Sequence, residues 1–195
     1  MQIVTSGLTH WSTRGPLLVR NFINYIRCRE YLELYRLGMP RPRSYQGIVD
    51  ENTRRCDFVE LDQFTEDFVR LITEHAEDFF GTPISRTLSH TPVMYCYPPG
   101  VGFVAHHDGV TPIEIERAQY NRQPVIGGDL TLILFLNDPS EYAGGDLYFP
   151  EIGVSFKPTA GAAIIFPATE AFIHGVQGVS RGNRYTALCR AWVVS

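Results

Sequence analysis

The triplet His106-His107-Asp108 places an imidazole and a carboxylate two residues apart. On a β-strand, residues i and i+2 share a face, so His106 and Asp108 present their donor atoms to a common point while His107 turns away. A third donor has to come from elsewhere, and His174 stands alone in an otherwise apolar stretch, Ala171-Phe-Ile-His-Gly-Val176. Two histidines and one carboxylate fill one face of an octahedron and leave the opposite face open. That arrangement suits a non-haem iron(II) centre at which dioxygen and a co-substrate bind together.

Ten residues beyond His174 comes Arg184, across a turn made of Ser180, Arg181, Gly182 and Asn183. The spacing predicts a hairpin, with Arg184 opening a strand antiparallel to and beside the one that carries His174. An inward arginine beside a metal suits a dicarboxylate: one end chelates the ion and the distal carboxylate takes a charge-assisted contact. Thr186 faces the same way and is placed to donate its hydroxyl to that carboxylate. Arg190 shares this parity and is expected to point into the interior. A buried charge without a partner is costly, so Arg190 should meet either a carboxylate or an anionic group of a substrate.

Singly, these residues have plainer readings: a polar group at a strand end, a core histidine bonded to backbone, a surface arginine after a turn. Jointly they fall at mutually consistent places in one β architecture, and the metal-site reading is preferred. His10, His75 and His90 read as ordinary, with His75 on the apolar face of a helix. Gly144-Gly145 reads as a tight turn between strands.

The elements that must position these residues fall into two halves. Gly15–Phe22 reads as a short entry strand, and Asn24 as the N-cap of a helix running to Leu37, with Gly38 at its end and Pro40 beyond. The polar stretch from Arg41 to Cys56 reads as a surface loop with one strand. Asp62 opens a second helix on which Phe64, Phe68, Leu71, Ile72, His75 and Phe79 recur at helical spacing before Gly81 and Pro83. From Ile84 the period changes to two. Strands are expected at Thr91–Tyr97, Gly102–His107, Asp129–Leu136, Gly145–Phe149, Val154–Lys157, Ala162–Phe166, Phe172–Val176 and Tyr185–Val194. Short strands so regularly spaced, following two helices, predict an α+β, mainly β fold: a sandwich or jelly roll with the helices on its outer face. The chain is expected to form a single domain over residues 1–195, helical over 1–83 and β over 84–195. The 19 residues from Gly109 to Gly127 are the one long connection in the β half, a length typical of lids and binding loops.

The segment Tyr97-Pro-Pro-Gly100-Val-Gly-Phe103-Val-Ala-His106-His-Asp108 resembles a signature of the 2-oxoglutarate/iron(II)-dependent dioxygenase superfamily, in its prolyl-4-hydroxylase-like branch. Gly144-Gly145-Asp-Leu147, Pro158-x-x-Gly161-x-x-Ile164-Ile-Phe166-Pro167 and the His174–Arg184 interval recur in that family in the same order. The resemblance covers residues 91–194 and implies a double-stranded β-helix (jelly roll) with the N-terminal helices packed on one sheet. It implies Fe(II) held by His106, Asp108 and His174, with 2-oxoglutarate and O2 as co-substrates. Arg184 would bind the distal carboxylate of 2-oxoglutarate, aided by Tyr97. Some relatives carry a further tyrosine where this chain has Phe135, leaving Tyr97 and Thr186 to supply the hydroxyl contact. Arg54, Arg55 and Asp57 would border the mouth of the pocket, with Arg190, as substrate contacts. The implied activity is hydroxylation with release of succinate and CO2. Halogenating members of the wider superfamily replace the metal carboxylate by a small residue, so Asp108 favours oxygen transfer.

The remainder of the sequence narrows the class. Formal net charge is −4 with no basic block, so no nucleic-acid binding is predicted. No run approaches the ~18 apolar residues of a membrane span, and Met1 to Arg14 lacks a signal-peptide core, so a cytoplasmic address is expected. Cys28, Cys56, Cys96 and Cys189 stand far apart and read as buried, reduced thiols. Cupin-like metal enzymes usually pair an HxH with a glutamate a few residues later; here a histidine lies between the pair rather than at its end, and the nearest downstream glutamate is Glu114. A non-catalytic β-sandwich binding module would not be expected to keep all three ligands and Arg184. Within the oxygenase reading, the substrate is expected to be a small molecule, an amino acid or natural-product intermediate, with a peptidyl or protein side chain as the alternative.

Overall fold

The computed structural model describes residues 14–38, 40–42, 56–110, 120 and 127–194. His10, Arg54 and Arg55 lie outside the described residues, as does the Gly109–Gly127 connection apart from Gly109, Val110, Tyr120 and Gly127. The elements are β1 (Leu17–Val19), α1 (Tyr25–Leu37), β2 (Arg41–Pro42), β3 (Asp57–Glu60), α2 (Thr65–Phe80), β4 (Ile84–Leu88), β5 (Val93–Tyr97), β6 (Phe103–His106), β7 (Leu130–Phe135), β8 (Ala143–Gly144), β9 (Leu147–Phe149), β10 (Val154–Phe156), β11 (Ala163–Pro167), β12 (His174–Val176), β13 (Val179–Arg181) and β14 (Arg184–Val193).

All pairings are antiparallel. The larger sheet runs β1-β11-β7-β14-β5-β3-β2, with β4 also on β14; the smaller runs β10-β9-β12-β6, and β13 pairs with β8. Alternation sorts the side chains of the larger sheet. Met94, Cys96, Leu130, Leu132, Leu134, Ala187, Cys189 and Ala191 pack outward against Tyr31, Leu32, Phe68, Ile72 and Phe80 of the helices. Val93, Tyr95, Tyr97, Ile133 and Phe135 instead join Leu147, Phe149 and Val176 of the smaller sheet. Every residue of β7 is buried, as befits a strand covered on both faces. The helices therefore brace the sheet from behind, and the other face is left for the site.

The helix boundaries follow from local chemistry. The Asn24 side chain accepts the Arg27 N–H at 2.9 Å, capping α1. Gly38 ends α1 with an ordinary φ of −79°, so its glycine serves space rather than handedness. A Cβ there would stand 2.8 Å from Val59 Cγ1 and 2.9 Å from the Leu34 carbonyl. A single 3-10 turn, Asp62–Phe64, precedes α2, and Gly81 closes that helix in the left-handed region at φ 66°.

One expectation is corrected. The strand of His174 and the strand opened by Arg184 are not neighbours. β12 pairs with β6 and β9 in the smaller sheet, whereas β14 pairs with β4, β5 and β7 in the larger. The turn at residues 180–183 joins β14 to β13, a three-residue strand that pairs with β8. The chain thus crosses from one sheet to the other between His174 and Arg184. Strands of two or three residues carry too little periodicity to read from sequence. Among the described residues no helix is long and apolar enough to cross a membrane. All four cysteines are free and buried.

Candidate active site

Strand register brings the two histidines together. His174 lies directly opposite His106 in the β12–β6 pair, with ring centroids 4.5 Å apart. Each ring is anchored in the same way: His106 Nδ1 lies 3.0 Å from the Val104 carbonyl and His174 Nδ1 lies 3.1 Å from the Phe172 carbonyl. A carbonyl only accepts, so Nδ1 carries the proton in both rings and each Nε2 keeps its lone pair for a metal. Asp108 lies just beyond the end of β6 and completes the group: its Oδ1 is 3.5 Å from His106 Nε2 and its Oδ2 is 3.5 Å from His174 Nε2. One donor atom from each of the three residues fits within a 4.8 Å cluster. Burial pushes His174 down to about 4, which keeps it neutral at ordinary pH. Burial acts to raise the Asp108 carboxyl, but Arg190, followed by the two histidines, outweighs it and holds Asp108 well below the usual carboxylate range. The result is a neutral His174 beside an ionised Asp108, and deprotonated donors of this kind are what bind a divalent ion. His107 is outside this cluster.

Both Asp108 oxygens have donors reaching across from the larger sheet. Thr131 Oγ1 donates to Oδ2 at 2.9 Å, and Arg190 Nη2 donates to Oδ1. Of the two partners expected for Arg190, the structure has the carboxylate.

Arg184 forms the second polar centre and is among the most deeply buried side chains in the protein, at 1% exposure. It extends between the rings of Tyr97 and Phe135, whose centroids lie 5.0 and 5.1 Å from Cζ. Nη1 reaches Thr186 Oγ1 only at 3.5 Å, while Nε and Nη2 have no hydrogen-bond partner among the described residues. The Tyr142 hydroxyl, also buried, makes no well-formed hydrogen bond among the described residues, although it lies close enough to Arg184 to interact with its charge and its N–H groups. Burial pushes Arg184 below its ordinary value, which marks an electrostatic deficit that an anion would relieve.

Two features hold Arg184 in place. Asn137 Nδ2 donates to the Asn183 carbonyl at 2.9 Å and its Oδ1 accepts the Tyr185 N–H at 3.0 Å, fixing the backbone on both sides of Arg184. Gly145 lies against the side chain, where a Cβ would come within 2.9 Å of Arg184 Cδ. Gly144-Gly145 is therefore more than a turn, because its second glycine makes room for the arginine. Tyr142, Thr131 and Asn137 were not among the residues singled out from sequence. Tyr142 had one available signal, its place three residues before Gly145.

The family model described as the 2OG-Fe(II) oxygenase superfamily matches residues 92–193. The chain belongs to that superfamily. A PKHD-type hydroxylase of Picosynechococcus is 30% identical over 153 residues, covering 77% of this chain and 63% of the relative. The chain thus spans less than two thirds of that relative's length. A Pseudomonas putida prolyl-4-hydroxylase matches 94% of this chain and 95% of its own at TM-score 0.66 and 19% identity. A prolyl hydroxylase of Trichoplax adhaerens, solved in complex with a hypoxia inducible factor peptide fragment, matches 91% of this chain and 83% of its own at TM-score 0.64 and 17% identity. These likenesses lie in the prolyl-4-hydroxylase-like branch, and the fold is the double-stranded β-helix.

In this superfamily the metal is Fe(II), and 2-oxoglutarate and O2 are the co-substrates. The residues present fit those groups on their own chemistry. The anchored His-Asp-His donor set suits the ion, and the unpartnered Arg184 and Tyr142 atoms suit a carboxylate.

Proposed function

We propose that this chain is a 2-oxoglutarate- and Fe(II)-dependent hydroxylase of an unactivated C–H bond in a small molecule, an amino acid or natural-product intermediate, releasing succinate and CO2. The observation that carries the reading is Arg184: a fully buried guanidinium with two nitrogens that make no well-formed hydrogen bond among the described residues, in the same sandwich as a His-Asp-His cluster. In this reading His106, Asp108 and His174 hold the iron. Arg184 receives the distal carboxylate of 2-oxoglutarate, with Thr186 and Tyr97 beside it. Tyr142 supplies the hydroxyl that Phe135 lacks. Bound iron and 2-oxoglutarate would supply the activation of dioxygen and consume the co-substrate to succinate and CO2.

The chain's own residues supply binding and orientation. The Nδ1 anchors fix both imidazole planes, and the rings of Tyr97 and Phe135 exclude water from around the Arg184 guanidinium. A carboxylate entering there exchanges bulk water for a charge-assisted contact in a low dielectric. Arg190, whose Nε has no hydrogen-bond partner among the described residues, is retained as a candidate substrate contact together with Arg54 and Arg55, which lie outside those residues.

A peptidyl substrate is the second reading, and one feature favours it. Among the described residues β6 is an edge strand carrying His106, with Val104 exposed, and a groove of ≈ 470 Å³ beside it is lined by Gly102, Phe103, Val104, Tyr148 and Val176. An extended peptide could pair with such an edge and pass beside the metal ligands. We take residues 1–195 as one domain, supported by β1, β2 and β3 pairing into the same sheet as the C-terminal strands. A cytoplasmic address is supported by the four free, buried cysteines.

The test is succinate formation from 2-oxoglutarate by the purified chain, with and without Fe(II), across a panel of free amino acids and short peptides, with product mass recorded. An oxygen atom gained by one small molecule, coupled to succinate, is the expected result. Coupling to peptides alone would select the second reading. A chain that binds no iron and consumes no 2-oxoglutarate, even without substrate, would overturn both.

A further inference from the structure

We propose that Thr131 and Arg190 are positioning residues for the metal carboxylate, a cross-strand pair that grips Asp108 with one donor on each oxygen and sets the third ligand before any ion arrives. The inference rests on His106, Asp108 and His174 being the iron site.

The two histidines are placed by register, since they face each other across β12 and β6. Asp108 has no such constraint, because β6 ends at His106. Its placement comes from the opposite sheet. Thr131 on β7 and Arg190 on β14 are direct register partners, so their side chains leave the larger sheet side by side. Both reach the same carboxylate. Thus one cross-strand pair from each sheet meets at Asp108: two imidazoles from the smaller, two donors from the larger.

The neighbourhood is built for this contact. Thr131 is fully buried in a strand otherwise made of Leu, Ile and Phe, where an unused hydroxyl would be a net cost and valine would fill the same volume. Gly128 lies against Arg190, where a Cβ would come within 2.8 Å of Arg190 Cβ. The arginine stem therefore runs where a larger neighbour at position 128 would push it away. Without Arg190 the carboxylate would be a buried group 3.5 Å from each of two imidazoles with only Thr131 to orient it. With both oxygens held, its orientation is decided by the protein.

The experiment is titration of the metal-stripped full chain with Mn(II) or Co(II), without 2-oxoglutarate, comparing wild type with Arg190→Ala, Arg190→Lys and Thr131→Val. Outer-shell partners of metal ligands typically contribute ~10–100-fold in affinity. Arg190→Ala is expected to weaken binding by about that factor, Thr131→Val by several-fold, and Arg190→Lys to recover most of the loss. Thermal melting of each metal-free variant separates the alternatives, since a residue serving only the fold would lower the melting temperature without moving metal affinity. If Arg190→Ala does not fold, Arg190→Lys and Thr131→Val carry the test. Wild-type affinity, or tighter binding, in both Thr131→Val and Arg190→Ala would overturn the proposal. A wild-type chain that binds neither ion would instead overturn the iron-site reading beneath it.

Discussion

Asp108 and Arg184 are both buried ions between the same two sheets, and the chain treats them in opposite ways. Asp108 is surrounded by partners: Thr131 and Arg190 on its oxygens, two imidazoles at 3.5 Å. Arg184 has no ion-paired carboxylate among the described residues, only aromatic faces, a distant threonine hydroxyl and the nearby Tyr142 phenol, which makes no well-formed hydrogen bond there. Burying an ion costs several kcal/mol unless it is paired. The first centre is completed from within and can stand before its metal arrives; the second is left with guanidinium nitrogens that make no hydrogen bond among the described residues. The electrostatic deficit is therefore concentrated where the co-substrate would relieve it.

The sharpest way to break this comparison is to remove a member of the completed centre. His174→Ala should reduce succinate formation below detection and abolish tight Mn(II) or Co(II) binding; retained turnover would mean that the cluster is not the metal site. At the incomplete centre the expected signature is a split. Arg184→Met should raise the 2-oxoglutarate concentration for half-maximal turnover by roughly 30- to 1,000-fold, the loss of a contact of about 2–4 kcal/mol. It should also leave the ligand-free chain as stable as wild type or more so, since an unpaired buried charge has gone. A large fall in its melting temperature would show that Arg184 has a partner in the resting protein.

Acid offers a gentler probe of the completed centre. His174 is held neutral when folded, at about 4, while an unfolded histidine titrates near 6.5. Above 6.5 it makes no difference to stability. As the pH falls from 6.5 to about 4 the unfolded chain takes up a proton that the folded chain refuses, so stability is lost through that window, by up to about 3 kcal/mol. Urea midpoints of the metal-free chain at pH 7 and 4.5 should differ accordingly, and His174→Phe should remove much of the difference. The smallest effect is expected at Tyr142→Phe. Loss of one hydroxyl contact of about 1 kcal/mol should raise the 2-oxoglutarate requirement several-fold and leave metal affinity unchanged. A change in metal affinity instead would merge the two centres.

What the sequence disclosed and what it hid follow the same physical divide. His106, His174, Arg184, Thr186 and Arg190 were readable as inward polar residues because strand parity makes them conspicuous, whereas Asp108, just past the end of β6, was reached only through its HxD spacing. The ten-residue strand β14 carries its pattern far enough to place Arg190 inside. Register between distant strands leaves no such trace. Thr131 therefore remained one threonine in a hydrophobic run, and the partner of Arg190 could only be named by class. Tyr142 and Asn137 lie off the strands, where parity says nothing. The expected hairpin failed because β13 is too short to announce itself between His174 and Arg184.

The amide of Asn137 gives the Arg184 centre a timescale. The first residues of a strand ordinarily fray, opening locally far more often than the protein unfolds. Here the Asn183 carbonyl and the Tyr185 N–H are both tied to one buried side chain. The Tyr185 amide proton should therefore exchange with solvent only through large openings. On the proposed reading, a dicarboxylate arriving from solution would meet a guanidinium already standing in place, and its capture would wait on shedding water rather than on the strand end assembling around it.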